Sequence, residues 1–382
     1  MAEHVDDRAA RIIEQLVENG HRKALNLAEE VEAYRQLELC GLSATAIARR
    51  AGTTKKRVQD ALAVAANDAA AAVVAEYNLD LDQATVITEL GDDEETIATL
   101  TAAAAVGSGH FAHVASRLRK DRSDAQQRAE TVAALTEAGI TVLEPDDGDS
   151  ATRLNRLCDG EGEGSEEITP EAHSGCPGHA AVVPEWDPSK VAYVCIDPDA
   201  YGHSFRPGYG PRTTHGGPKS EKEKTDMRLV RENNKKWRAA EPVRLEYVQG
   251  LLRRKTAPKG TLRFAVTEVL VAPDRVGDGK DSMLAALLAV EDPGGWGRTV
   301  GEAHMTKVGE AQLPLALLAQ VAADREQTMD VMTWRHCPAA AARWLSFLAS
   351  TGYTLSEVEQ LVVDTGLATE DGTEVEAVDA AA

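Results

Sequence analysis

The sequence predicts a mainly α fold: a helix-turn-helix region, a small β-containing module and a C-terminal helical bundle. Three observations carry this. Alanine is abundant while aromatic residues make up only 4% of the 382 residues, a composition that favours helix. Apolar residues recur at three- and four-residue spacing along most of the chain. Between Ile140 and Phe205, short apolar runs alternate with glycine- and proline-containing turns instead, as short strands do. The expected boundaries are 1–120 for the helix-turn-helix region, 121–205 for a helix and the β module, 206–260 for a basic linker and helix, 261–366 for the C-terminal helical domain, and 367–382 for an acidic, disordered tail.

The first helix is expected over Arg8 to Val17, with Ile12, Ile13, Leu16 and Val17 apolar. Asn26 can cap a second, whose stripe includes Leu27, Val31, Tyr34, Leu37 and Leu39 before Gly41 ends it. Gly41 to Leu62 (GLSATAIARRAGTTKKRVQDAL) then has the spacing of a helix-turn-helix. Ser43 caps its first helix and Thr53 or Thr54 its second. Ala48 is small where the helices must cross, Gly52 suits a left-handed turn, and Val58 locks the second helix onto the first.

At 100° per residue from Val58, Ala61 and Leu62 share its buried side while Lys56, Gln59, Asp60 and Ala63 point away. Lys55 and Arg57 flank that face. Such a face suits a major groove: Lys55, Lys56 and Arg57 can bind phosphates or guanine edges, Gln59 can pair with adenine, and Asp60 can accept from cytosine. Arg49, Thr53 and Thr54 complete the expected contacts to double-stranded DNA. The plainer reading makes Lys56 and Asp60 an exposed pair four residues apart on a packing corner.

Glu18, Asn19 and Arg22, followed by Leu25, Asn26, Glu29, Glu30, Ala33 and Tyr34 and then by the helix-turn-helix, resemble the central part of ParB/KorB-type partition proteins. The resemblance covers Ile13 to Val64 closely and continues loosely to Leu118. It implies binding to a centromere-like or operator site, a homodimer and a partition ATPase as partner, and a nucleoid-associated, cytoplasmic protein. In that family a nuclease-like domain carrying glycine and arginine motifs precedes this segment, and Glu18, Asn19 and Arg22 match a nucleotide-contacting motif with roles toward metal and phosphate; the plainer reading, favoured here, makes them a charged helix end. Here only a short stretch stands before Ile13 and the GERR-type motif is absent, so binding of CTP with magnesium, its hydrolysis and DNA clamping are not expected. A nucleotide hydrolase or nuclease is the enzyme-class alternative; no catalytic residue is assigned.

From Asp68 to Leu118 the pattern stays helical, with Asp82 ahead of QATVITEL, acidic residues 92–95 at a helix start and a turn at Gly107 to Gly109. A further polar helix is expected over 121–139, then a strand over Ile140 to Leu143 and an acidic linker over 160–167.

HSGCPGHAAVVPEWDPSKVAYVCIDPDAYGH holds the second constellation. Cys176 and His179 lie three apart on a Pro-Gly turn, and Cys195 and His203 follow a strand-like segment. Two thiolates and two imidazoles are a donor set that tetrahedral zinc takes, so a structural zinc ion is expected on these four, with His173 and Cys158 as substitutes. The competing reading makes Cys195 a core thiol and His203 a turn residue. No HExxH arrangement points to catalytic zinc. A zinc-stapled interaction module is thus another reading of the chain.

A basic helix is expected after the connector 205–224, with Met227, Val230 and Trp237 turned inward. Beyond Thr256, wide apolar stripes in LRFAVTEVLVA, DSMLAALLAVED, QLPLALLAQVAADRE and AAARWLSFLAS predict a bundle in which Trp334, Trp344 and Phe347 are core. Thr354 or Ser356 can start a last helix.

The net charge of −21 opposes phosphate binding on average, but acidic residues gather at 92–95, 146–167 and beyond 357, while 49–57 and 206–259 are basic. Local fields govern association, so the total does not exclude DNA. Five scattered cysteines do not make a disulfide scaffold. No run of about 20 apolar residues exists, and a charged segment rather than a signal peptide follows Met1, which predicts a soluble protein with no membrane partner.

Overall fold

The computed structural model describes residues 7–22, 26–77, 79–144, 151–159, 167–185, 187–206, 208–209, 221–271, 281–291 and 299–370. It is mainly helical with a small sheet region. Of the expected tail 367–382 the part beyond 370 lies outside the described residues, while 367–370 continue the last helix; 160–166 of the expected linker 160–167, and 207 and 210–220 of the connector 205–224, also lie outside them. Described residues of 1–118 and 239–375 form one compact unit, and those of 119–238 another.

The first unit begins with α1 (Asp7–Arg22), α2 (Leu27–Leu39), α3 (Ala44–Ala51) and α4 (Lys55–Ala66). Asn26 caps α2 by accepting from Ala28 N, Ser43 caps α3 through Ala46 N, and Thr54 caps α4 through Arg57 N. Each satisfies a backbone donor that a helix start leaves unpaired. Gly52 ends α3 at φ 70°, a left-handed conformation that costs a side-chain-bearing residue about 1 kcal/mol or more. Ile47, Ala48, Val58, Ala61 and Val64 lie in the core that this turn closes.

α5 (Asp68–Glu76), α6 (Leu81–Leu90) and α7 (Glu94–Val106) complete that core with Val74, Ile87 and Leu100. The cap of α6 is Asp80, not Asp82: Asp80 and Gln83 each accept from the other's backbone N–H, a reciprocal box that only the earlier aspartate can form. α8 (Ser108–Glu137) runs unbroken where two helices were expected, because no Gly or Pro follows Gly109 of its first turn and Lys120 pairs with Asp124 one turn on.

The same unit contains the end of α10 (Glu221–Leu252) and then α11 (Thr261–Val271), α12 (Asp281–Leu288), α13 (Thr299–Met305), α14 (Leu313–Thr328), α15 (Thr333–His336), α16 (Ala339–Ser350) and α17 (Glu357–Glu370). Trp344 is wholly buried, and Phe347 stacks on Phe264 with centroids 4.1 Å apart. Two buried ion networks cross this bundle. Arg244 donates to Glu326 at 2.9 Å and Glu359 at 2.7 Å, and Trp344 Nε1 donates to Glu326. Glu268 accepts from Arg325 at 2.6 Å and Arg343 at 2.7 Å. His113 of α8 joins the bundle through the Thr354 carbonyl at 2.8 Å, and a Cβ at Gly109 would overlap the Thr354 side chain.

Among its described residues the second unit holds the rest of α8, α9 (Pro170–His173), the first part of α10 and six short strands: β1 (Thr141–Leu143), β2 (Thr152–Arg153), β3 (Leu157–Asp159), β4 (His179–Val182), β5 (Ala192–Cys195) and β6 (His203–Phe205). One sheet has the order β1-β4-β5-β2, parallel only between β1 and β4; β3 and β6 form an antiparallel pair. Among its described residues the buried apolar clusters are small: Leu135, Ala181 and Val183 form one, and Leu154, Leu157, Ile168 and Cys195 another. Trp237 is buried on α10, but Met227 is 38% exposed, contrary to its expected inward place. Among the described residues no single helix is long and apolar enough to cross a membrane.

Candidate metal centre and candidate nucleic-acid face

Four donors converge in the second unit. Thr169 caps α9 by accepting from Ala172 N, and this single turn delivers His173 at its end. Cys176 follows in a turn closed by Cys176 N to the His173 carbonyl and His179 N to the Cys176 carbonyl, both at 3.0 Å. Cys195 ends β5, and a turn held by His203 N to the Pro198 carbonyl at 2.9 Å returns His203 to it at the start of β6. The ligand atoms of His173, Cys176, Cys195 and His203 all lie within 4.8 Å of one another, so the cluster could hold a metal ion.

One member differs from the expected set. His173 takes the place foreseen for His179, which pairs opposite Cys195 in the β4–β5 ladder and stacks on Tyr193 with centroids 5.8 Å apart. That stack turns its Nδ1 toward His173 Nδ1, 2.9 Å away, outside the four-donor group. Both histidines stand three residues from Cys176, so spacing alone does not choose between them. Cys158 is engaged elsewhere, its thiol donating to the Ser204 carbonyl at 3.4 Å.

The site is tight. Gly178 N donates to Cys176 Sγ at 3.4 Å, and a Cβ on Gly178 would come within 2.6 Å of the Tyr201 ring and 2.9 Å of Cys195 Sγ. Burial, reinforced by the neighbouring Cys176 sulfur, pushes the Cys195 thiol up to about 11. A bound cation acts in the opposite sense, favouring the thiolate. All five cysteines are free of disulfides.

In the first unit α4 presents Lys55, Lys56, Gln59 and Ala63 as exposed residues, while Val58, Ala61 and Val64 are fully buried. Arg49 and Thr54 are exposed and Thr53 half-buried. Lys56 Nζ and Asp60 form an ion pair along the helix. Arg57 is exposed but engaged: its Nε and Nη2 donate to the two Glu30 carboxylate oxygens at 2.7 and 2.6 Å, and Tyr34 Oη donates to Glu30 at 2.8 Å. Burial works to raise the Glu30 carboxyl, but the Arg57 and Tyr34 hydrogen bonds outweigh it and hold the group below the usual range. This α2–α4 clamp escaped the sequence reading. Its only local signal is Glu30 and Tyr34 four residues apart, which says nothing of Arg57.

Of the three residues matched to a nucleotide motif, Glu18 is exposed beside an open groove lined by Ala10, Ile13, Glu14 and Val17. The Asn19 and Arg22 side chains lie outside the described residues.

Fold and donor set together define a mainly helical protein with a small sheet module that carries a candidate metal centre. Compared with family models, curated proteins and solved structures, the chain matches none.

Proposed function

We propose that the chain binds double-stranded DNA sequence-specifically, with α3 and α4 as a helix-turn-helix and α4 as the reading helix, in the manner of ParB-like partition and repressor proteins. The observation that supports it is the α3–α4 corner: a left-handed Gly52, a Thr54 cap and a buried Val58 leave Lys55, Lys56 and Gln59 on one exposed face. Because Arg57 is held by Glu30, reading falls to Lys55, Lys56 and Gln59, and Asp60 sets the direction of Lys56. A homodimer would read an inverted repeat.

The test starts from random-sequence duplexes selected on the wild-type protein. In gel shifts the double variant Lys56→Ala, Gln59→Ala is expected to bind the selected and a scrambled duplex equally weakly, with an unchanged circular dichroism spectrum. Retained preference for the selected duplex counts against the reading helix.

The metal in the second unit is proposed to be structural zinc. Zinc bonded at about 2.05 Å to nitrogen and about 2.3 Å to sulfur gives tetrahedral edges of about 3.3–3.8 Å. The two histidine Nε2 atoms stand 3.1 Å apart, His203 Nε2 lies 3.4 Å from Cys176 Sγ, and all four donors lie within 4.8 Å, a spread on both sides of those edges. Four protein donors leave no open position for substrate, which suits a structural role. Elemental analysis of the purified chain should find about one zinc per molecule; none would remove the staple and leave the DNA proposal standing.

A further inference from the structure

We infer that His179 is a positioning residue of the zinc centre: it is not a ligand but accepts a hydrogen bond from the ring of the ligand His173 and so fixes which nitrogen of His173 faces the metal. The inference rests on the reading of the four-donor cluster as a zinc site.

The geometry leads there in three steps. First, the two rings of His173 and His203 meet through their Nε2 atoms, 3.1 Å apart, and His203 Nε2 also reaches Cys176 Sγ. His173 therefore faces the cluster with Nε2. Second, a neutral imidazole that gives Nε2 to a metal carries its hydrogen on Nδ1. His173 Nδ1 lies 2.9 Å from His179 Nδ1, so His173 donates and His179 accepts. Third, His179 is itself held. Its backbone is pinned in β4 opposite Cys195, its N–H donates to the Cys176 carbonyl at 3.0 Å, and its ring lies 18° from the plane of Tyr193. Hydrogen bonds of this kind raise ligand basicity and fix ring orientation. His173 is 1% exposed, so no solvent competes for its Nδ1 hydrogen.

Two substitutions separate this role from simple packing. His179→Phe keeps a ring against Tyr193 and removes the acceptor. His179→Asn loses the ring but offers Oδ1 near the Nδ1 position. Zinc affinity is measured on the full chain by competition with a chromophoric chelator, and cobalt(II) is added as a spectroscopic probe of the donor set. The expected result is that His179→Phe weakens zinc by about 10- to 100-fold, that His179→Asn stays close to wild type, and that all three proteins show the same cobalt band positions. Affinity lost with Asn and kept with Phe would mean that the ring matters only for packing, and would overturn the proposal. A changed cobalt spectrum in both variants would make His179 a ligand and equally overturn it. Wild type with no zinc affinity overturns the zinc reading together with the inference, whereas tight wild-type binding unaffected by either variant overturns the inference alone.

Discussion

Replacing Glu30 by Gln tests whether the proposed reading face of α4 depends on a clamp lying behind it. Glu30 is 8% exposed and accepts two bonds from Arg57 and one from Tyr34. Gln keeps an oxygen for Tyr34 but turns an amide toward a guanidinium that needs acceptors. Two charge-assisted bonds would be worth about 3 kcal/mol or more if fully buried. The Arg57 side chain is 45% exposed, so solvent screening reduces that to about 1–2 kcal/mol. Urea denaturation should show this loss as a lower midpoint at unchanged slope.

The sign of the pH dependence follows from the depressed Glu30 carboxyl. Its contribution is fully present above the ordinary value of 4.5 and is lost as pH falls through the lower folded value, so wild type and Glu30→Gln should converge in acid. DNA binding separates the clamp from plain electrostatics. Removing a carboxylate near a polyanion should by itself tighten binding to every duplex. Loss of the clamp predicts weaker binding to the selected duplex and stronger binding to scrambled DNA, as freed Arg57 turns to phosphate and steepens the salt dependence by about one counterion. A stability change under about 0.5 kcal/mol at neutral pH, or tighter binding to both duplexes, refutes this account of α4.

Two further predictions concern the buried networks and the metal site. Glu359 is wholly buried and accepts from Arg244, Tyr353 and both the N–H and hydroxyl of Ser356, so Glu359→Gln should cost about 3 kcal/mol in denaturant unfolding. A loss below 1 kcal/mol, on the order of a surface pair, would show that Arg244 is satisfied by Glu326 alone. Gly178→Ala places a methyl group against the Tyr201 ring and Cys195 Sγ, so it should lower zinc affinity and weaken the cobalt–thiolate absorption; wild-type values would mean that the β4 turn yields freely.

What was legible in the sequence was local chemistry. Asn26, Ser43 and Thr54 cap helices because their own side chains reach donors two or three residues away, and Gly52 must turn because its neighbours' periodicity ends there. Asp80 and Asp82 show the limit: Asp82 stands directly ahead of QATVITEL but lies inside α6, and the reciprocal bonds to Gln83 make Asp80 the cap. The donor types of the metal cluster were legible, but the choice between His173 and His179 depends on strand pairing and on the Tyr193 stack. Strands β2 and β3 were missed because they are short and their partners, β5 and β6, lie far along the chain. The ion networks were invisible for another reason: Arg244 meets Glu326 and Glu359 across 82 and 115 residues, and any of the chain's acidic residues could have been the partner.

The two units also differ in what holds them, and this gives the candidate metal centre its place in the fold. The first unit buries leucine, valine, isoleucine and tryptophan side chains from many helices, so its stability is that of packed apolar surface. The second has strands of two to four residues and small buried clusters in which Cys195 is itself a member. Such short strands cannot specify their register by hydrophobic pattern alone. The four donors come from α9, the following turn, β5 and β6, so a single zinc ion would tie together segments that the β4–β5 and β3–β6 ladders connect only weakly. Structural zinc binding is worth on the order of 10 kcal/mol and is expressed as folding free energy where the apo site is not preformed. On the proposed reading the module's fold is therefore a function of metal occupancy, while the α3–α4 corner, in the other unit, keeps its own core and its exposed lysines without it.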